Sequence, residues 1–202
     1  MKFRLTLLGV CVLLVAGCQH HPLVDYRPLD QAGMWSGSIE QLKAQNVSDA
    51  EIAQVVKLKQ IGIGDDTCVA LISGAHAKLN LFTSADSVGN LAGAGFKENQ
   101  ILEIAGTGHL ESISGDLVTL RLIGISENMV KTVLHRRLQG MPTMGSGAIA
   151  HLKNTGLSES QILQRINAGQ TDEQAEAEAT ARERTRNHAN TGFVRVHGRK
   201  PR

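Results

Sequence analysis

Few residues of this chain have types and spacings that could do chemistry. His20 and His21 stand side by side and could ligate a metal, but two adjacent histidines in a flexible segment do not preorganise a site. No G-x-S-x-G nucleophile elbow, H-E-x-x-H pair, Walker-type loop or C-x-x-C pair occurs in the chain. We therefore assign no catalytic residue, no metal ligand and no cofactor from the sequence.

Cys18 is the residue with the clearest chemical context. Lys2 and Arg4 precede a run without charge over residues 5–16, and the segment ends in Val15-Ala16-Gly17-Cys18. The run is too short for a helix across a hydrocarbon core of ~30 Å, which takes about 20 residues. A basic start, a short apolar run and small residues before a cysteine resemble the signal peptide and lipobox of bacterial lipoproteins.

This resemblance covers about the first 19 residues. It implies that Cys18 becomes the first mature residue, with palmitate or a similar acyl chain on its sulfur and another on its amino group. Several acyl chains hold a protein at a membrane stably. Because Gln19 is not acidic, the resemblance implies an outer-membrane location facing the periplasm. The alternative is an uncleaved anchor or a buried helix in which Cys18 is incidental.

The remaining cysteine and the charges follow from this assignment. Cys11 leaves with the signal peptide, so Cys68 is the only thiol left besides Cys18 and no intrachain disulfide forms. Cys68 lies at an apolar position of a predicted helix, which indicates a buried, inert residue. From Arg182 to the end of the chain, seven basic residues stand against Glu183 alone. The chain thus ends in a basic tail.

Aromatic residues make up only 3% of the chain. Phe82 and Phe96 are the only aromatic rings between Gly37 and Gly192. Proteins that bind single-stranded nucleic acid or sugars by stacking use several exposed rings. The composition therefore excludes these binding modes for most of the chain.

One short pattern occurs five times. A leucine stands four residues before a glycine or asparagine, an apolar residue follows, and aspartate or glutamate comes three residues after the glycine or asparagine, giving L-x-x-x-[G/N]-Φ-x-[D/E]. The copies begin at Leu42, Leu58, Leu91, Leu120 and Leu152. Their starts are 16, 33, 29 and 32 residues apart. Such periodicity is typical of repeat proteins.

Each copy predicts a turn between two helices. Glycine and asparagine tolerate positive φ and end the first helix, and the next apolar residue folds back onto the leucine. Ser48, Ser126 and Ser158 are predicted N-caps, with Glu51 and Gln161 completing two capping boxes. The predicted helices cover residues 39–45, 49–60, 65–76, 85–94, 98–105, 115–123, 127–139, 146–154 and 159–168. The predicted fold is an all-α array of short helical hairpins.

The same patterns divide the chain into four parts. Residues 1–17 are the signal peptide, and residues 18–38 form a lipidated N-terminus and flexible spacer. Residues 39–170 form the helical-hairpin repeat domain, and residues 171–202 form a charged helix and basic tail.

The copy at Leu58 has a second resemblance. Its Gly62-Ile63-Gly64 turn is similar to the helix-hairpin-helix motif of DNA-binding proteins, over about fifteen residues. This resemblance implies that the amides at Gly62 and Gly64 bind a phosphate. However, Asp65 and Asp66 stand where basic residues usually follow, and they would repel a phosphate. The alternative is a plain structural turn, and we do not expect nucleic acid as a partner.

Two classes of function remain. The first is a non-enzymatic lipoprotein that binds or scaffolds an envelope protein through its helical repeats, with the basic tail contacting an anionic surface. The second is an enzyme or enzyme subunit whose site no motif reveals. An enzyme should have a cleft with converging polar groups, whereas a scaffold should expose apolar surface. The first class is favoured because the polar residues follow helix-capping rules closely.

Overall fold

The computed structural model describes residues 24–196, with side chains described through residue 189. This part of the chain is all-helical and contains no strand, which confirms the predicted fold class. The helices are α1 (Arg27–Gln31), α2 (Ser36–Ala44), α3 (Asp49–Gln60), α4 (Asp65–His76), α5 (Ala85–Gly93), α6 (Glu98–Gly106), α7 (Leu110–Leu122), α8 (Glu127–Leu138), α9 (Ser146–Asn154), α10 (Glu159–Asn167) and α11 (Asp172–Val196).

The helices form two rows. Odd-numbered helices pack each on the next odd-numbered one, and α2, α4 and α6 pack in the same way in a second row. Helices within a row run parallel. We call the edge where odd helices end and even helices begin the hairpin edge, formed by residues 32–35, 61–64, 94–97, 123–126 and 155–158. The opposite edge, the return edge, is formed by residues 45–48, 77–84, 107–109, 139–145 and 168–171.

The core lies between the two rows and is built from the repeated pattern. The pattern leucines Leu42, Leu58, Leu91, Leu120 and Leu152 are all fully buried. Burial of a leucine side chain stabilises a fold by about 1.5–3 kcal/mol. Because every hairpin leaves one apolar face to be covered by its neighbour, the array is stable only as a stack.

The turns have the backbone geometry that the pattern predicts. The glycine or asparagine of all five copies has positive φ, from +53° at Asn46 to +94° at Gly156. In the copy at Leu58, the Ile63 amide donates to the Leu58 carbonyl at 3.0 Å, and the Gly62 amide donates to the Lys59 carbonyl at 3.0 Å. This pair of bonds is the Schellman motif. It confirms the prediction that the apolar residue after the glycine folds back onto the pattern leucine.

The structure divides the chain into repeats at different positions from those the sequence pattern predicts. A further hairpin-edge turn with the same bonds occurs at Gly33, where the Met34 amide donates to the Leu29 carbonyl at 3.0 Å. Its last column holds Ser36 in place of an acidic residue, which hid it from the pattern. The turn at Asn46 lies on the return edge. The hairpin-edge turns are those at Gly33, Gly62, Gly95, Gly124 and Gly156, spaced by 29, 33, 29 and 32 residues.

The packed body therefore begins earlier than residue 39. Within the segment predicted to be a flexible spacer, Leu29 and Met34 are buried in the core and α1 packs on α3. Several helix boundaries also differ from prediction, and α2 begins at Ser36 instead of residue 39. Helix α7 begins at Leu110, five residues early, because Gly115 lies inside the helix with open space around it. Helix α11 continues to Val196. None of the described helices combines the length and apolarity needed to cross a membrane.

Candidate binding surfaces

The two glycines proposed for phosphate both have partners inside the fold. The Gly62 amide donates to the Lys59 carbonyl at 3.0 Å, and the Gly64 amide donates to Glu98 Oε1 at 3.1 Å. Glu98 also accepts a hydrogen bond from the Thr67 hydroxyl. A carboxylate of the next hairpin thus lies where a phosphate would bind, so this turn has the geometry of the structural alternative.

The contact made by Glu98 recurs along the even row. An acidic residue at the start of one even helix accepts the amide of the N-cap residue of the preceding even helix, which is a charge-assisted bond at a helix N-terminus. These residues lie in the first turn of their own helices, and they also join consecutive hairpins. The pairs are Asp65 with Trp35 at 2.7 Å, Glu98 with Gly64 at 3.1 Å, and Glu159 with Ser126 at 3.1 Å.

Two of the three predicted serine caps make the predicted side-chain bonds. Ser48 and Glu51 form one capping box, and Ser158 and Gln161 form the other, as predicted. Ser126 is the N-cap residue of α8, but its side chain makes no capping bond. Its backbone amide binds Glu159 instead. Three carboxylates of the repeats therefore bind helix N-termini. Glu127 is different, because it binds the side chains of Gln100 and Lys131.

Cys68 is buried in the core, as predicted. Burial raises the pKa of its thiol to about 12, because a thiolate would be desolvated there. A thiol of this kind is inert near neutral pH.

Glu51 is the one charged residue among the described side chains that is almost fully buried, at 1% exposure. It accepts hydrogen bonds from the Ser48 amide at 3.0 Å and the Phe82 amide at 3.1 Å, and it pairs with His76 Nε2 at 2.7 Å. Burial raises the pKa of Glu51, but these hydrogen bonds outweigh it and leave the pKa below its usual value. Glu51 therefore fixes the connection after α4 to the N-terminus of α3.

Two further groups of ionisable side chains with displaced pKa values pair across helices. The Arg165 guanidinium lies 2.6 Å from Glu178 and lowers the pKa of that carboxyl to about 2. His151 lies between Glu176 at 2.5 Å and Glu183 at 3.1 Å, and these carboxylates raise its pKa. Both clusters join α11 to its neighbours. Within the described part of the chain, no group of three or more His, Cys, Asp or Glu side chains is arranged so that it could hold a metal ion.

A groove of about 730 Å³ opens on the return edge between α4, residues 77–84, α6 and the start of α7. Its wall is largely apolar and includes Leu71, Phe82 and Leu102. The two charged residues that line the groove both form hydrogen bonds within the protein. Lys78 Nζ donates to the Ala105 and Gly106 carbonyls at 3.2 and 2.7 Å, and Glu111 accepts from the Ser84 hydroxyl at 2.7 Å.

The rim of this groove carries an unusual residue. Each of the ten connections between described helices has one residue with positive φ, and nine of these residues are glycine or asparagine. The exception is Leu79, with φ of +58° and 96% exposure. Leu81, two residues on, is 60% exposed. A leucine in the left-handed region costs roughly 1–2 kcal/mol, and backbone strain of this kind clusters at functional positions.

The hairpin edge, together with the last residue of α7 directly before it, carries the other large apolar side chains that are exposed in the described part of the chain. These are Trp35, Ile61 and Leu122. Beside them, the Arg121 guanidinium lies over the Phe96 ring at 6.0 Å, a cation–π contact. This edge therefore presents separate apolar residues with a basic group near its centre.

Helix α11 projects beyond the hairpin edge. It runs parallel to α9, since the Gly145 amide at the start of α9 donates to Asp172 at the start of α11 at 2.6 Å. Its first turns bury Ala175 and Ala179 against the body, whereas every described side chain from residue 181 is exposed. At 25 residues the helix is about 37 Å long, more than the body needs. The basic tail thus begins on the hairpin-edge side.

The remaining expectations fall outside the described residues. Cys18, His20, His21 and the signal peptide precede residue 24, and residues 197–202 of the tail follow the described range. The groove was not predicted from the sequence. In residues 77–84 the sequence signal for positive φ is Asn80, whereas the chain places Leu79 in that conformation.

Comparisons with known proteins give no relative. No family model, no curated protein and no solved structure matches this chain.

Proposed function

We propose that this protein is a lipid-anchored component of a bacterial cell envelope that acts without catalysis, as a scaffold for another envelope protein. The anchor is the acylated Cys18, and the location is the outer membrane with the body in the periplasm. The helical array supplies a rigid surface, as repeat arrays do.

One observation carries this proposal. Several acidic side chains of the array are bonded to neighbouring helix ends, as in the pair of Glu98 with Gly64, while large apolar side chains lie exposed at the edges. A site for catalysis needs titratable groups that converge on a cleft, whereas protein binding uses exposed apolar and aromatic anchors. The distribution of polar and apolar groups therefore favours binding.

The hairpin edge is the surface that fits a protein partner best. Trp35 and Leu122 are large apolar groups, and tryptophan is enriched among the residues that dominate binding energy at interfaces. The tail on the same side adds a basic segment, with Arg184 and Arg186 exposed on α11. Basic residues of this kind attract an anionic surface and raise association rates.

Photo-crosslinking in intact cells tests this proposal. A photoreactive amino acid at Leu122, on the hairpin edge, should give one discrete adduct of higher mass. The matched control is the same amino acid at Asn167, which is exposed at the other end of α10, beside the return edge. The proposal predicts an adduct at Leu122 that is lost when Trp35 is changed to Ser. Equal labelling at both positions, or no adduct at either, would contradict it and leave the enzyme alternative.

A further inference from the structure

We infer that the return edge lies against the bilayer that holds the acyl chains of Cys18, with Leu79 and Leu81 inserted among the lipids. The inference rests on the proposed anchoring at Cys18. It adds an orientation and a second, non-covalent membrane contact made by the folded body.

The chain enters the folded body at the return edge. The described residues begin at Val24, and the next amide, that of Asp25, donates to Asp49 Oδ1 at 3.4 Å. Asp49 is the first residue of α3, so the chain enters at the return edge. Cys18 lies six residues before Val24, and six residues of fully extended chain span about 20 Å. An anchor at Cys18 therefore keeps this edge close to the membrane.

The exposed leucines are connected to this entry point by the bonds of Glu51. Two residues after Asp49, the buried carboxylate of Glu51 accepts the Phe82 amide at 3.1 Å and pairs with His76 at 2.7 Å. These bonds hold both ends of the connection that contains Leu79 and Leu81. The leucines are thus fixed beside the helix end that receives the anchored chain.

Leu79 is exposed and has an unfavourable backbone conformation. Its side chain is 96% exposed, so no burial within the described fold offsets the unfavourable left-handed backbone. Asn46, in another return-edge connection, adopts the same region with φ of +53° at less cost. A leucine is therefore unfavourable at this position for the isolated fold, and a lipid phase is an environment that favours it.

The groove next to these leucines is compatible with the same occupant. Its wall is largely apolar, and the charged groups of Lys78 and Glu111 are already hydrogen-bonded to the protein. Groups bonded in this way need no water to satisfy them, which lowers the cost of facing lipid. The exposed apolar residues Trp35 and Leu122 lie on the opposite edge, and the short anchor selects the return edge over that one.

Tryptophan fluorescence of the full chain tests the orientation. Trp35 is the only tryptophan, so changing it to Phe allows one reporter to be placed at Leu81→Trp or, as the matched control, at Leu122→Trp. Both positions are mainly exposed, and thermal melts verify that each variant folds. Each variant is purified from membranes, and intact mass spectrometry determines whether it carries acyl chains. The protein is then reconstituted into phosphatidylcholine vesicles whose lipids have brominated acyl chains, which quench tryptophan fluorescence.

We expect acylated protein in which the reporter at residue 81 is blue-shifted and quenched at least three-fold more than the reporter at residue 122. Changing Leu79 to Asn should reduce that quenching. Acylated protein with equal quenching at both positions, or stronger quenching at residue 122, would overturn the inference while the proposed anchoring stands. Protein without acyl chains would overturn the anchoring and, with it, the orientation.

Discussion

Glu98 Oε1 accepts a hydrogen bond from the amide of Gly64 at 3.1 Å and joins the start of α6 to the start of α4, 34 residues earlier in the chain. The Thr67 hydroxyl donates to the same carboxylate. In a repeat array each unit contacts only its neighbours, so a bond of this kind contributes directly to the interface between two hairpins. It also fills the anion site that a glycine-rich turn presents at a helix N-terminus.

Glu98→Ala should therefore lower the free energy of unfolding by about 1–3 kcal/mol, because it leaves the Gly64 amide and the Thr67 hydroxyl without their acceptor. Urea denaturation followed by circular dichroism measures the change. Glu103→Ala is the control, since Glu103 is an exposed residue of the same helix. Equal stability of the two variants would show that the bond between hairpins contributes little.

Leu79 and Asn46 allow a reciprocal exchange. Leu79→Asn should raise the melting temperature, because asparagine tolerates φ of +58° better than leucine and little burial is lost. Asn46→Leu should lower the melting temperature, with about 1 kcal/mol as the expected size of each effect. Thermal melts of a chain that begins at Gln19, in buffer without detergent, would measure both. A lower melting temperature for Leu79→Asn would mean that the leucine stabilises the fold by a contact we have not identified.

The hairpin-edge glycines are predicted to be required for their backbone conformation. At Gly156 φ is +94°, and a Cβ atom would meet no neighbour within 4 Å, so steric crowding does not complicate the test. Gly156→Val should cost at least ~1–2 kcal/mol, whereas Gly156→Asn should be mild. The control Gly74→Ala, in the exposed interior of α4, should be neutral or stabilising by about 0.5–1 kcal/mol. Valine and asparagine with equal effects at residue 156 would argue against this role.

The positions of the turns could be predicted from the sequence because few residue types accept positive φ. Helices α3, α4 and α9 begin and end where the pattern predicts, and Cys68 is buried as expected. The pattern missed the turn at Gly33, because Ser36 replaces the acidic residue that the pattern requires. The groove and the partner of Glu98 depend on which helix ends share an edge, and only the three-dimensional stacking of the two rows determines that.

His151 should make the docking of α11 depend on pH. The carboxylates of Glu176 and Glu183 raise the pKa of His151 above its ordinary value of 6.5. A raised folded-state pKa gives stability that is fully present below pH 6.5 and is lost as the pH rises through the folded-state pKa. The melting temperature should therefore fall above pH 6.5 by more in the unmodified chain than in His151→Asn. The control His109→Asn should keep the full pH dependence, and parallel pH profiles for all three proteins would contradict the assignment.

The basic tail should act on the side away from the bilayer of the proposed anchor. Full chain anchored in neutral vesicles should cluster added anionic vesicles at low ionic strength, because each basic residue near an anionic membrane contributes about 1 kcal/mol. Raised salt should reverse the clustering. A chain that ends after Ala181 keeps the buried Ala175 and Ala179 and is the control, which should not cluster vesicles. Clustering by both chains, or by neither, would show that the tail does not bind an anionic surface.

Acylation of Cys18 is the central claim, because both the location and the orientation of the protein depend on it. The direct measurement is metabolic labelling with a clickable palmitate analogue, together with fractionation of membranes from cells that make either the unmodified chain or Cys18→Ser. We predict that the unmodified chain is labelled and sediments with membranes, whereas Cys18→Ser is unlabelled. Persistent labelling of Cys18→Ser, or an unlabelled unmodified chain, would contradict the account.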